Sequence, residues 1–255
     1  MAGDRAAVLG CEIDRVEMDE AVRRCERYIE AREPAQYMAV NAAKVVAVQR
    51  DQALRRMINR CEIVTADGQS VVWASRLLGD PVPSRVTGID LMHRLLALAE
   101  LRGYGVYVLG ARADVLERAL AVLRRRLPGL RIAGYRDGYF SAAEDPAVVS
   151  AIRAARPDIL FVGLPSPHKE YFLARWRRDL DVPLCVGVGG AIDVLAGVRR
   201  RAPEPVQQLG LEWAFRLVQE PRRLLRRYAV TNSRFVALTV RQVLHGLRSM
   251  RGRAG

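Results

Sequence analysis

Through residues 1–198, short apolar runs rich in β-branched residues alternate with stretches whose apolar positions recur at helical spacing. Tyr37–Val40, Glu62–Ala66, Gly105–Leu109, Arg131–Tyr135, Ile159–Val162 and Leu184–Val188 read as buried strands. Between them, Ala42–Met57, Gly88–Leu101, Ala113–Leu127, Pro146–Ala155 and Lys169–Leu180 read as helices. The alternation predicts an α/β fold with a mainly parallel sheet and helices on both faces. Sheets of this kind bind ligands at the carboxyl ends of their strands. There the sequence places Asn41-Ala42, Asp67-Gly68, Gly110-Ala111, Gly138-Tyr139, Gly163-Leu164-Pro165 and Gly187-Val188-Gly189-Gly190.

The pattern changes after residue 198. Arg222, Arg223, Arg226 and Arg227 fall within a ~140° helical arc, opposite Leu224, Leu225 and Tyr228. Thr231-Asn232-Ser233 predicts a break. Beyond it Arg234, Arg241 and Arg248 share one face, with Val236, Val240, Val243, Leu244, Leu247 and Met250 on the other. Residues 199–255 therefore read as a basic helical appendage on a 1–198 core. It holds 13 arginines against three glutamates, which accounts for most of the chain's net charge of +13. Two basic amphipathic helices suit an anionic bilayer. The alternative is a hairpin that packs its apolar face on the core and leaves its arginines solvated.

Composition narrows the class. Half of the 255 residues are apolar and 27% charged, a globular balance. No run approaches the ~18 apolar residues of a membrane span. Acids near the N-terminus interrupt what a secretory signal needs, so export is not expected. Cys11, Cys25, Cys61 and Cys185 show no paired spacing, which points to a reduced, cytoplasmic compartment.

Asp67 ends a predicted strand at the ligand edge, where a carboxylate can serve as a general base or simply shape a turn before Gly68. Asn41 occupies the equivalent place after the preceding strand. Gly187-Val188-Gly189-Gly190-Ala191-Ile192 approaches a dinucleotide fingerprint but has Ile192 where a small residue is needed. A glycine turn entering a helix still suits a diphosphate. Asp179-Leu180-Asp181 has a metal-binding spacing but lies before a strand, at the edge opposite the crevice. His93, His168 and His245 share no ligand spacing.

Several motifs follow one another in a recognisable order: Val40-Asn41-Ala42, Ala66-Asp67-Gly68, Arg85-Val86-Thr87-Gly88-Ile89-Asp90, and Pro157-Asp158-Ile159 through Gly163. Pro167-His168-Lys169-Glu170, Gly187 through Asp193, Arg201-Ala202-Pro203, Gly210-Leu211-Glu212-Trp213 and Glu220-Pro221-Arg222-Arg223 complete the series. Together they resemble the WecG/TagA/CpsF family of bacterial glycosyltransferases, glycosyltransferase family 26, from about Tyr37 to Arg227.

The resemblance implies a Rossmann-like core with a C-terminal appendage that docks on the membrane. It implies an inverting transferase, without metal or other cofactor, that moves sugar from a UDP-sugar to a polyprenyl-diphosphate-linked saccharide. Such enzymes serve surface polysaccharide assembly from the cytoplasmic face of the membrane. By this resemblance Asp67 is the general base, and Asn41 binds a sugar. Lys169 and Glu170 belong to the substrate site, and Gly187, Gly189, Gly190 and Asp193 hold the uridine. Arg85, with Arg216, Arg222, Arg223 and Arg226 of the appendage, answers diphosphate or membrane charge. A homo-oligomer is compatible with it.

Two departures bear on the donor. Ala39 stands where the family often has Thr, and Lys169 replaces a common Gln, so an ammonium is available to a diphosphate or to a uronic acid. A hexose or hexuronic acid donor is expected over N-acetylmannosamine. The competing reading is a non-enzymatic basic protein that binds membrane or nucleic acid. Nucleic acid is disfavoured, because only 6% of the chain is aromatic and its arginine faces oppose apolar ones.

Overall fold

In this computed structural model, residues 4–208 and 210–251 are described. The chain opens with a hairpin, β1 (Arg5–Val8) and β2 (Cys11–Asp14), whose two-residue turn places Leu9 and Gly10 at positive φ. Then come α1 (Met18–Ala31), β3 (Ala35–Val40), α2 (Ala42–Val48), α3 (Gln52–Asn59), β4 (Ile63–Ala66), α4 (Gln69–Leu77) and α5 (Gly88–Arg102). The alternation continues through β5 (Val106–Gly110), α6 (Ala113–Arg126), β6 (Ile132–Arg136), α7 (Asp145–Ala155), β7 (Ile159–Gly163), α8 (His168–Leu180) and β8 (Leu184–Gly187). Four helices finish the chain: α9 (Ala191–Leu195), α10 (Glu204–Gln208), α11 (Glu212–Gln219) and α12 (Pro221–Arg251).

Six strands form one parallel sheet in the order β4-β3-β8-β7-β5-β6. The inner strands are buried almost throughout, as both faces of a parallel sheet must be. Alternate residues feed two cores. Met38, Val40, Leu160 and Val162 face the hairpin, α2–α4, α7, α8 and α12. Tyr37, Ala39, Ile159 and Phe161 face α1, α5, α6 and α9. The fold expected from the sequence is the fold found.

Two boundaries differ from expectation. The single helix predicted over Ala42–Met57 is two, because the Asp51 side chain accepts from the Leu54 N–H at 2.9 Å and starts α3 afresh. The break predicted at Thr231-Asn232-Ser233 is absent, and α12 runs continuously. Ser233 Oγ donates to the Ala229 carbonyl at 2.7 Å, so its hydroxyl is satisfied inside the helix instead of ending it.

The appendage packs on the core. Leu224 and Phe235 are buried, and Leu238 lies against the same cluster. On another side of α12, Leu225, Val236, Val240 and Leu244 are exposed within a ~100° arc. Among the described residues no helix is long and apolar enough to cross a membrane.

Close backbone approach at the carboxyl edge dictates glycine. Gly110 has φ +133°, and a Cβ there would stand 2.7 Å from the Gly163 backbone. Gly110→Ala should lower the unfolding free energy by about 2–4 kcal/mol. Gly79, also at positive φ but with nothing within 4 Å of a built Cβ, should cost about 1 kcal/mol as Ala. Urea denaturation of the two variants tests whether crowding adds to strain.

Candidate active site

Asn41 and Asp67 meet because their strands pair in register, Val40 opposite Ala66. The Asp67 N–H donates to the Val40 carbonyl at 2.7 Å, which fixes the two turns side by side. Asp67 is half-buried, just before α4, whose first cap, Gly68, has φ +127°. Asn41 Oδ1 accepts from the Lys44 N–H at 3.1 Å and caps α2. The turns that carry Asn41 and Asp67 therefore lie next to each other at the carboxyl edge of the sheet.

Below this edge lies a buried charge cluster. Lys44 and Lys169 are the only lysines among 41 basic residues. Both approach Glu170: Lys44 Nζ stands 3.0 Å and Lys169 Nζ 3.7 Å from its Oε1. Side-chain exposures of 7%, 5% and 0% make this a desolvated trio. Lys44 also donates to the Ala39 carbonyl at 2.7 Å. Neither Glu170 oxygen completes a hydrogen bond among the described residues, so charge holds the group together. Burial, with Lys44 alongside, pushes the Lys169 ammonium down to about 8, while Glu170 and Asp67 act in the opposite direction. Burial opposes the Glu170 charge, yet the two ammonium groups hold its pKa below the ordinary value.

Gly187 and Gly189 pass over Lys169. A Cβ on Gly187 would meet its Cδ and Cε at 3.1 Å, and one on Gly189 would stand 3.7 Å from Nζ. The glycine turn therefore gives room to a lysine stem, and Gly189 also needs its φ of +53°.

Beside Asn41 opens a cleft of about 170 Å³, with Gly190, Arg199, Arg200, Arg201 and Arg216 in its wall and Leu224 and Tyr228 of α12 closing it. Ion pairs tie the appendage to the core around this cleft. Arg85 reaches Glu212 at 2.8 Å, and Arg201 grips Asp90 at 2.6 and 2.7 Å. Arg199 lies 3.1 Å from Glu220 and 3.7 Å from Asp193. Burial works against the Asp90 charge, but hydrogen bonds from Arg201 and Thr87 keep its pKa low.

Asn41, Gly190 and Arg216 thus come together at one cleft, with Asp67 beside Asn41 and Asp193 beside Arg199. Arg85 is engaged by Glu212 at the same rim. Arg222 and Arg226 are exposed on α12, outside the cleft wall, and the Arg223 side chain lies outside the described residues. Lys169 and Glu170 lie under the crevice floor. Lys44, Arg199, Arg201 and Glu212 were not singled out from sequence. The rarity of lysine is a signal that would mark Lys44, but helix periodicity alone places it on an ordinary buried face.

Asp179 and Asp181 lie at the end of α8, at the amino edge of the sheet. Among the described residues no three His, Cys, Asp or Glu side chains gather as metal ligands. A broader cleft of about 710 Å³ also lies at that amino edge, where α1, α7 and α8 end. Arg32, Arg153 and Arg156 line it, and Arg32 pairs with Asp158 at 3.2 Å. The four cysteines are free and buried, and desolvation pushes Cys25, Cys61 and Cys185 up to about 12, which leaves them inert thiols.

Residues 6–249 match the family described as Glycosyl transferase WecG/TagA/CpsF family. Similar proteins include two called N-acetylglucosaminyldiphosphoundecaprenol N-acetyl-beta-D-mannosaminyltransferase. One, from Staphylococcus aureus (strain MW2), is 31% identical over 219 residues, 85% of each chain. The other, from Bacillus subtilis (strain 168), is 32% identical over 211 residues, 81% of this chain and 82% of the relative. A protein of the same name from Bacillus spizizenii is 34% identical over 174 residues, 68% of this chain and 67% of its own.

The buried trio generates a stability test. Glu170→Gln leaves two ammonium groups without their carboxylate and should cost about 3–5 kcal/mol. Lys169→Gln keeps the Lys44–Glu170 pair and should cost about 1 kcal/mol or less. Equal losses in chemical denaturation at pH 7 would contradict this charge accounting.

Proposed function

Because the chain belongs to the glycosyl transferase WecG/TagA/CpsF family and is a glycosyltransferase, we propose that it transfers a sugar from a UDP-sugar to a polyprenyl-diphosphate-linked saccharide, with inversion and without a metal. The observation that carries this reading is the junction at Asn41, which stands beside Asp67 and also lines the arginine-walled cleft. A base and an anion-stabilising wall are the two components that such a displacement requires.

In the reaction, the Asp67 carboxylate takes the proton of the acceptor hydroxyl as its oxygen bonds to the anomeric carbon. The bond from that carbon to the UDP oxygen breaks, and its electron pair leaves with UDP. Attack opposite the leaving group inverts the centre. UDP departs as an anion, so no general acid is needed. Arg85, Arg216 and the Arg199–Arg201 run supply positive charge where a metal would otherwise stand. The relatives' names describe an N-acetylglucosaminyl-diphospho-undecaprenol acceptor, which supports the lipid-linked acceptor class. The donor is read as a hexose or hexuronic acid, on Ala39 and Lys169.

The exposed stripe of Leu225, Val236, Val240 and Leu244, with Arg222 and Arg226 also exposed on α12, supports peripheral docking on an anionic membrane. Replacing Val240 and Leu244 together by Glu should weaken binding to phosphatidylglycerol vesicles by about tenfold or more in sedimentation. Unchanged binding removes α12 as the membrane contact.

UDP release, measured with a panel of UDP-sugars and a short-chain polyprenyl-diphosphate saccharide, tests the reaction. Release should persist in EDTA and fall about 100-fold or more in Asp67→Asn. Loss in EDTA would overturn the metal-free reading. Full activity in Asp67→Asn would overturn its role as base. Turnover of UDP-N-acetylmannosamine above UDP-glucose and UDP-glucuronate would overturn the donor assignment.

A further inference from the structure

Glycine is the ordinary residue where a helix ends in the left-handed conformation, because it has no Cβ to strain. α5 ends that way, on Gly103 at φ +73°. α1, α7 and α8 do not: they end on Arg32, Arg156 and Asp181, at φ +52°, +45° and +52°. Among the described residues, only Leu9 and Ala111 share a positive φ without being glycine. The three strained caps come together, since all three side chains line the cleft of about 710 Å³ at the amino edge of the sheet. Each keeps a charged side chain where glycine would relieve the backbone, and strain of this kind gathers at ligand sites.

The charge in this cleft is not neutralised from within. Asp158 Oδ1 accepts from Arg32 at 3.2 Å, while Oδ2 accepts from the Gly105 N–H at 2.7 Å and from Arg131 at 2.9 Å. That carboxylate is fully engaged. Among the described residues no carboxylate pairs with Arg153 or Arg156, and no cation pairs with Asp181. Helix carboxyl ends carry only about half an elementary charge each, so the guanidinium groups outweigh the three that meet here. Ser150 and Ala154 share the lining face of α7 with Arg153, and their small side chains leave the space open.

We propose that this cleft binds a phosphate ester that also carries hydroxyl groups, with Arg153 and Arg156 holding the phosphate and Asp181 accepting from the hydroxyls. A guanidinium fork matches two phosphate oxygens at once. A carboxylate without a cation is free to take hydroxyl protons. The volume is that of a small-molecule site and exceeds what a bare ion needs. Asn41 and Asp67 lie at the other end of the strands, and a strand of five residues such as β7 spans about 16 Å. The ligand is therefore distinct from the substrates of the transfer, and its binding does not depend on that reaction. A sugar phosphate and a mononucleotide share the required chemistry.

Isothermal titration of the full chain with glucose 1-phosphate, AMP and orthophosphate, in about 50 mM salt, tests the site. Arg153→Ala with Arg156→Ala should weaken the tighter ester about tenfold or more. Arg118→Ala with Arg124→Ala removes the same charge from the exposed side of α6 and should leave binding unchanged. Asp181→Asn should weaken the ester but not orthophosphate. Tighter binding of glucose 1-phosphate assigns a sugar phosphate, and tighter binding of AMP assigns a nucleotide. The proposal is overturned if neither ester binds, if orthophosphate binds as tightly as both, or if the two double variants lose affinity equally. Ester binding that survives Arg153→Ala with Arg156→Ala places the anion elsewhere and also overturns it. Arg156→Gly separates ligand contact from backbone strain: Tm should rise by about 2 °C while ester affinity falls. A Tm no higher than that of the wild type overturns the inference from strain.

Discussion

The carboxyl edge of the sheet is crowded to the point where backbone touches backbone, and the rest of the site is arranged around that contact. Gly110 lies against Gly163, and Gly163 lies against Ile192 and the Gly189 carbonyl. Side chains at these positions would force the central strands apart. With them absent, the turns after β5, β7 and β8 form a shallow common floor, and α9 can begin directly above it. The Ile192 that spoils a dinucleotide fingerprint packs its Cδ1 where a Gly163 side chain would stand. The departure from that motif is thus a packing solution, with glycine on the partner strand and bulk on the helix.

Charge is distributed in two tiers around this floor. Above it, Arg85, Arg199 and Arg201 pair with Glu212, Glu220 and Asp90, in partly exposed pairs that water and salt can screen. Below it, lysines and Glu170 interact where water does not reach. The upper pairs can exchange partners at small cost, whereas the lower group is confined to one geometry.

Sequence periodicity carried the parallel sheet, because fully buried strands between amphipathic helices leave a strong pattern. It missed the N-terminal hairpin, whose strands of four residues give too few alternations to register, and it left α1 and α4 unassigned. It joined α2 to α3 because Asp51, a cap, looks like any polar residue on a helix surface. It broke α12 at Thr231–Ser233 because propensity does not report that a hydroxyl can return its bond to the preceding turn. Asn41 and Asp67 were legible as neighbours, since each follows a strand and successive strands often pair. The Lys44–Glu170–Lys169 group was not, because it joins α2 to α8 across more than a hundred residues through side-chain length alone.

The unbroken α12 has a mechanical consequence. Leu224 and Tyr228 stand in the cleft wall, Phe235 is buried in the core, and Val240 and Leu244 are exposed farther along. A stiff rod pinned near its middle behaves as a lever with Phe235 as its fulcrum. Force applied to the outer arm is delivered to the cleft without being absorbed, because no hinge interrupts the helix between them. A single inserted residue between Phe235 and Val240 would rotate the outer arm by ~100° and point its apolar side elsewhere, while the inner arm kept its seat.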